Sequence, residues 1–148
     1  MTMEIHTTRF GTIDVEPADV ILFPTGMLGL EDCQHWVLLA DAQNQALGWL
    51  QSTTHGDVAL AVVSPRRFVP DHAVRVARGE LAPLALHSPD EAHVLVVVGK
   101  NEQNITLNLK APLVVNLRRR LGRQVIDNAD HPLQYELCTT HTEARKIA

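Results

Sequence analysis

The sequence predicts an all-β fold, a small antiparallel β-barrel carrying one or two short helical turns. Three observations predict it. Short apolar or alternating runs recur along the chain and are rich in Val, Ile and Leu, and β-branched side chains fit a pleated, half-buried surface. Gly and Pro punctuate the runs at the spacing of a barrel or sandwich. The segments between them are too short for crossover helices, which makes the strands antiparallel.

The elements follow in order. Met3 to Thr7 alternates apolar and polar, Gly11 offers a turn, and Thr12 to Val15 alternates again before Pro17. Val20 to Phe23 is a continuous apolar run stopped by Pro24. Trp36 to Leu39 and Leu47 to Leu50 flank the polar stretch Asp41 to Gln45. Val58 to Val63 follows Gly56 and Asp57 and ends at Pro65, and Val74 to Val76 is a short alternating piece. His93 to Val98 holds four valines, Ile105 to Leu109 alternates cleanly, Leu113 to Val115 follows Pro112, and Gln124 to Ile126 is the last candidate strand. Helix is confined to one or two turns over Gly29 to His35, a short piece over Glu80 to Leu86 that Pro83 limits, and one turn at Ser88 to Glu91. At the last, Ser is a capping residue, Pro suits the first helical position, and acids suit the positive helix end.

With no repeat, low-complexity run or linker, residues 1–148 read as a single domain. Its ordered core is expected over about 3–133, with a C-terminal tail from about 134 to 148 that frays from His141. The length suffices to bury a core without staples, and 45% hydrophobic residues exclude a disordered chain. Aromatics make up only 4%, so aliphatic side chains must fill the core.

The net charge of −4 argues against a dedicated nucleic-acid binder. Residues 1–60 carry eight acids and only Arg9 as a base, −7, whereas residues 61–148 carry nine acids and twelve bases, +3. If the halves keep separate surfaces, an acidic face suits a basic protein partner; if their strands interleave, as small barrels allow, the charges mix. Cys33 and Cys138 are far apart and form no C-x-x-C pair, as expected of free thiols in a reducing compartment. The N-terminus lacks a basic and an apolar signal region, and no apolar run, Val94 to Val98 included, is long enough to span a bilayer. A soluble cytoplasmic protein is expected.

No catalytic, metal or cofactor site is expected, and no enzyme. The eight histidines include no H-E-x-x-H pair, and His131 and His141 have no nearby Cys at zinc-finger spacing. There is no G-x-S-x-G elbow. The acid pairs Glu31-Asp32 and Asp90-Glu91 read as surface groups at helix starts, and Gly26 and Gly29 fit neither a dinucleotide nor a P-loop pattern. Two segments remain. Arg118, Arg119 and Arg120 with Arg123 surround Gly122; they can grip phosphates or carboxylates, or simply solvate a hairpin tip against edge aggregation. Phe23 to Leu30 places Met27, Leu28 and Leu30 among glycines, as an adaptable apolar contact surface or as a plug for one end of the barrel.

Taken together the segments resemble the FliW family of bacterial flagellar assembly factors, over about residues 3–133. Arg9-Phe10-Gly11 with Ile13 and Val15 matches the family's opening hairpin, and Ile21 to Pro24 with Gly26, Gly29, Leu30 and Glu31 resembles its F-P-x-G-x-x-G-[FL]-E segment. Leu50 to Ser52, Ala59 to Val63 with Pro65, and Phe68 to Asp71 follow in the family's order. The most specific stretch is Thr106 to Asn116, which resembles T-x-N-L-x-A-P-[IL]-V-[IV]-N and is followed by Arg123 to Ile126. Leu28, Ser64 and Arg66-Arg67 depart from the pattern.

The resemblance implies a β-barrel-like, non-catalytic, chaperone-like factor without cofactors. Its implied partners are CsrA, a small dimeric RNA-binding translational repressor, and flagellin, which exchange so that sequestering CsrA permits flagellin translation. It implies no membrane and no direct nucleic acid, and a monomer is expected. The partner surface is expected at Phe23, Met27, Leu28, Glu31 and Asp32, with Arg118, Arg119 and Arg120 as a second patch. Asn108, Pro112, Asn116 and Gln124 match the family signature and are expected to be architectural. The alternative is a barrel that binds RNA directly through the arginine cluster.

Overall fold

The computed structural model describes residues 1–137. Cys138 and the frayed end expected from His141 lie outside the described residues.

A separate hairpin opens the chain. Strands β1 (Met3–Thr7) and β2 (Gly11–Val15) pair antiparallel, with Met3 opposite Val15 and Thr7 opposite Gly11. The Thr7 hydroxyl closes the turn, accepting from the Phe10 N–H at 2.8 Å and donating to the Gly11 carbonyl at 2.7 Å. The remaining strands are β3 (Val20–Leu22), β4 (His35–Ala40), β5 (Leu47–Ser52), β6 (Ala59–Val63), β7 (Ala92–Lys100), β8 (Ile105–Leu107), β9 (Leu113–Asn116), β10 (Leu121–Gln124) and β11 (Tyr135–Leu137).

Seven of them close a barrel, in the ring order β3-β4-β5-β6-β7-β9-β10 and back to β3. The expected barrel is thus present, but its last pairing, β10 on β3 through Leu121 and Leu22, is parallel. Strand direction cannot alternate around a ring with an odd number of members, so one parallel seam is unavoidable. The long β7 makes the branch point. Ala92 to Leu95 pairs with β9, Val98 to Lys100 pairs with β8, and Val96 and Val97 pair with β6 on the other edge. Strands β8 and β11 therefore leave the barrel as a flap.

Burial follows the pattern of the strands. Ile21, Phe23, Met27, Cys33, Trp36, Leu50, Val62, Leu113 and Val115 fill the barrel, with the indole N–H of Trp36 donating to the Cys33 carbonyl at 2.9 Å. Three covers pack on the outside. The hairpin sets Ile5 and Val15 on Val37. The irregular segment after β6 sets Val74, Val76, Leu81, Leu84 and Leu86 on Val114 and Val125. The flap sets Leu107, Leu109 and Leu137 on Val63 and Val96.

Four local expectations are corrected. Gly29 to His35 is not helical: Gly29 has φ 82°, and successive turns carry Leu30 N–H to Met27 O at 2.8 Å and Cys33 N–H to Leu30 O at 3.0 Å. Val74 to Val76 joins no sheet, because the Arg75 N–H donates to Asp127 Oδ1 at 3.3 Å and the Arg75 carbonyl accepts from Asn128 at 2.6 Å. The last hairpin strand is Leu121–Gln124, not Gln124 to Ile126; Val125 turns inward while Ile126 is 51% exposed. The tail expected from 134 begins instead with β11, since Leu137 is buried in the flap and the amides of Asn101 and Asn104 hold the Glu136 carboxylate. Helix α1 (Arg78–Leu81) tightens into a 3-10 turn at Ala82–Leu84 around Pro83. Another 3-10 turn, Pro89–Glu91, is tied by Ser88 N–H to Glu91 Oε1 at 3.1 Å. No described helix is long and apolar enough to cross a membrane.

Candidate partner-binding surface

The ring order decides how charge is distributed. Strands β3, β4 and β5 are neighbours and the hairpin lies across them, so residues 1–52 occupy one side of the molecule. Strands β7, β9 and β10 form the other side. The two halves of the sequence therefore do not interleave. Glu4, Asp14, Glu16, Asp19, Glu31, Asp32 and Asp57 are all exposed. Glu4 stands directly opposite Asp14 across the hairpin, a like-charge pairing that costs stability; His6 Nε2 lies 3.7 Å from Glu4 Oε1, in the open.

Asp41 is the half-buried exception. It accepts from the indole N–H of Trp49 at 3.0 Å and from the N–H groups of Gln43 and Asn44 at 3.0 and 2.9 Å. The Trp49 bond first, then the backbone donors, hold this carboxyl below its ordinary value. Trp49 also receives the edge of Phe10 and, 4.2 Å from its ring centre, the guanidinium of Arg9. The single base of the acidic half is thereby engaged with an aromatic face.

The loop between β3 and β4 divides into a buried and an exposed part. Phe23 and Met27 are 0% and 3% exposed, so their side chains plug the barrel and do not face solvent. Gly122 lies flat against Phe23, whose Cζ would be 2.3 Å from any Cβ there. Leu28, by contrast, is 69% exposed, and its N–H donates to Gln124 Oε1 at 2.8 Å while Gln124 Nε2 donates to the Ala111 carbonyl at 3.1 Å. Glu31 and Asp32 are exposed beside it, Glu31 Oε1 accepting from Gly29 N–H at 3.3 Å. Leu28, Glu31 and Asp32 thus share one loop crest.

The arginine turn is elsewhere. It joins β9 to β10 at the end of the barrel opposite the β3–β4 loop, as the strand directions require. It is tied to the segment that covers β9 and β10. Arg118 reaches Glu91 at 4.0 Å, Arg119 reaches His87 Nε2 at 3.2 Å, and Arg123 pairs with Glu80 at 3.3 Å. Arg120 takes a positive φ of 55° and its carbonyl accepts from Leu22 N–H at 2.9 Å. The two expected patches are therefore not one surface.

The signature residues hold backbone. Asn108 Oδ1 accepts from Ala111 N–H at 3.0 Å, and the Pro112 carbonyl accepts from Val125 N–H at 3.0 Å. Asn116, fully buried, accepts from Arg119 N–H at 3.2 Å and donates to the Leu84 carbonyl at 2.8 Å. Sequence reading missed one cluster: His72, Asp127 and His131 place a ligand atom each within 4.8 Å of one another. Burial foremost, then the neighbouring His131, lowers the His72 pKa; the Asp127 carboxylate opposes this and Arg66 adds to it. Only the proximity of His131 to Asp127 was visible as an i, i+4 spacing.

Comparison with known proteins gives a consistent family. The family model described as FliW protein matches residues 4–137. The chain is 35% identical over 136 residues to flagellar assembly factor FliW of Natranaerobius thermophilus, covering 90% of this chain and 88% of that one. It is 31% identical over 150 residues to the factor of Thermoanaerobacter pseudethanolicus, covering 96% of this chain and 100% of that one. A crystal structure of the flagellar assembly factor FliW superposes with a TM-score of 0.86 at 24% identity, over 94% of this chain and 99% of that one, and shares the fold. The closed barrel, the architectural use of the Thr106 to Asn116 stretch and these matches lead to one conclusion: the chain belongs to the FliW family of flagellar assembly factors.

Proposed function

We propose that this chain acts in the cytoplasm as a non-enzymatic binding protein for CsrA and flagellin, relieving CsrA's repression of flagellin translation when flagellin releases it. The observation that carries this reading is the acidic side of the molecule, where seven exposed carboxylates lie on the hairpin, the turn leading from it into β3, the β3–β4 loop and the β5–β6 turn. An RNA-binding repressor presents basic surface to phosphate. An acidic partner attracts that surface, repels RNA and speeds encounter. The exposed Leu28 beside Glu31 and Asp32 adds an apolar contact to the charged crest.

Direct RNA binding through the arginine turn is less well supported. Three of its four guanidiniums already face Glu80, Glu91 or His87, and residues 117–124 hold no aromatic side chain for base stacking. Calorimetric titration with CsrA, flagellin and an RNA separates the two readings. Saturable CsrA binding that flagellin displaces supports the proposal. Binding to RNA alone, weakening steeply with salt, would replace it with the second reading.

A further inference from the structure

We propose that His72, Asp127 and His131 form a binding site for a Zn²⁺-like transition-metal ion. The donor atoms lie within 4.8 Å of one another, and His131 Nε2 is 3.7 Å from Asp127 Oδ2. A tetrahedral Zn²⁺ with bonds of about 2.0–2.1 Å holds its ligand atoms about 3.3 Å apart. Small side-chain rotations close that gap.

The site has the marks of a built one. His72 is 4% exposed and Asp127 1%, yet among the described residues neither His72 Nε2 nor Asp127 Oδ2 has a hydrogen-bond partner. Two buried polar atoms left in this way each cost about 1–3 kcal/mol, and one ion between them satisfies both. The other carboxylate oxygen is fixed: Oδ1 accepts from Ala129 N–H at 2.8 Å and Arg75 N–H at 3.3 Å, which aims Oδ2 at the imidazoles. Such outer hydrogen bonds orient metal ligands. His72 is anchored through its backbone, donating to the Val69 carbonyl and accepting from Arg66 Nε. His131, with 27% of its side chain exposed, gives an entry path and leaves room for a water as fourth ligand.

The donor set selects the ion. Two imidazoles and one carboxylate suit Zn²⁺, whereas Mg²⁺ and Ca²⁺ require oxygen shells. Arg66 beside His72, and Lys110 Nζ on the carbonyls of Asp127 and Ala129, also disfavour a hard cation held by charge alone. A bound ion would pin the irregular cover after β6 to the chain leading from β10 to β11, two segments also joined by the Arg75 backbone and by packing on Val125. Metal concentration would then set the stability of this side of the barrel.

The test titrates chelator-stripped full-length protein with Zn²⁺ by calorimetry and thermal melting, with Co²⁺ as a visible-absorption reporter of coordination. The expected result is one ion per chain, a raised Tm and no competition from Mg²⁺. Asp127→Asn keeps the Oδ1 contacts and the shape, and His131→Ala removes a partly exposed ring. Each should weaken binding by at least about tenfold, while His55→Ala leaves it unchanged. Either variant suffices if the other fails to fold. Absence of saturable binding, or binding that both variants leave intact, overturns the proposal.

Discussion

Gly122 leaves no space for even one methyl group, because the Phe23 ring lies 2.3–2.7 Å from the position of its Cβ. Gly122→Ala must displace a fully buried ring, and overpacking of this kind costs about 1–3 kcal/mol. Gly79 in α1 faces open space, so Gly79→Ala should stabilise by roughly 0.5–1 kcal/mol through helix propensity. Urea unfolding of the two variants reads both signs. Asp41 supplies a pH prediction. Its folded pKa lies below the reference value of 3.8, so its contribution to stability is complete above that value and is lost as pH falls through the folded pKa. Carboxyl NMR should show a midpoint for Asp41 below 3.8, and Trp49→Phe, which removes the first donor, should move it upward.

Elements differ in how far they were legible, and the reason is local. Alternation marked β1 and β2 because each buries one face, whereas β8 alternates in sequence although Thr106 and Leu107 are both buried; the apolar runs marked β4 to β7 because barrel strands carry a cover outside as well as a core within. Val74 to Val76 shares that periodicity but spends its backbone groups on Asp127 and Asn128, which no pattern of side chains announces. Strand β11 is three residues long and exists because β8 offers an edge and Leu137 a buried slot. The β3–β4 loop depends on Gln124, which joins the Leu28 N–H to the Ala111 carbonyl. Gln124→Ala should accelerate amide exchange at Leu28 while leaving Trp36 protected. Equal acceleration at both would mean global unfolding, not loosening of the loop.

At the scale of the whole molecule, the acidic side links stability to binding. Glu4 and Asp14 face each other across the hairpin at a cost to the fold. Glu4→Lys replaces repulsion with a cross-strand ion pair, so it should stabilise by about 0.2–1 kcal/mol and yet weaken CsrA binding. Charge reversal at Glu31 and Asp32 should weaken CsrA binding and restore RNA access, with effects that shrink as salt rises. Calorimetry at two ionic strengths reads each; unchanged affinity in all three variants would remove the acidic side from the interface.

The sequence by itself determined the all-β class, the positions of most strands, the family and the unequal charge of the two halves. Each of these is a property of neighbouring residues or of a collinear series of motifs. The tertiary structure alone decided that the charged halves stay on separate sides, that Phe23 and Met27 plug the barrel while Leu28 stands out, and that His72 meets Asp127 and His131. These outcomes depend on which strands pair around the ring, and pairing between segments distant in sequence is fixed by mutual burial and not by any local pattern.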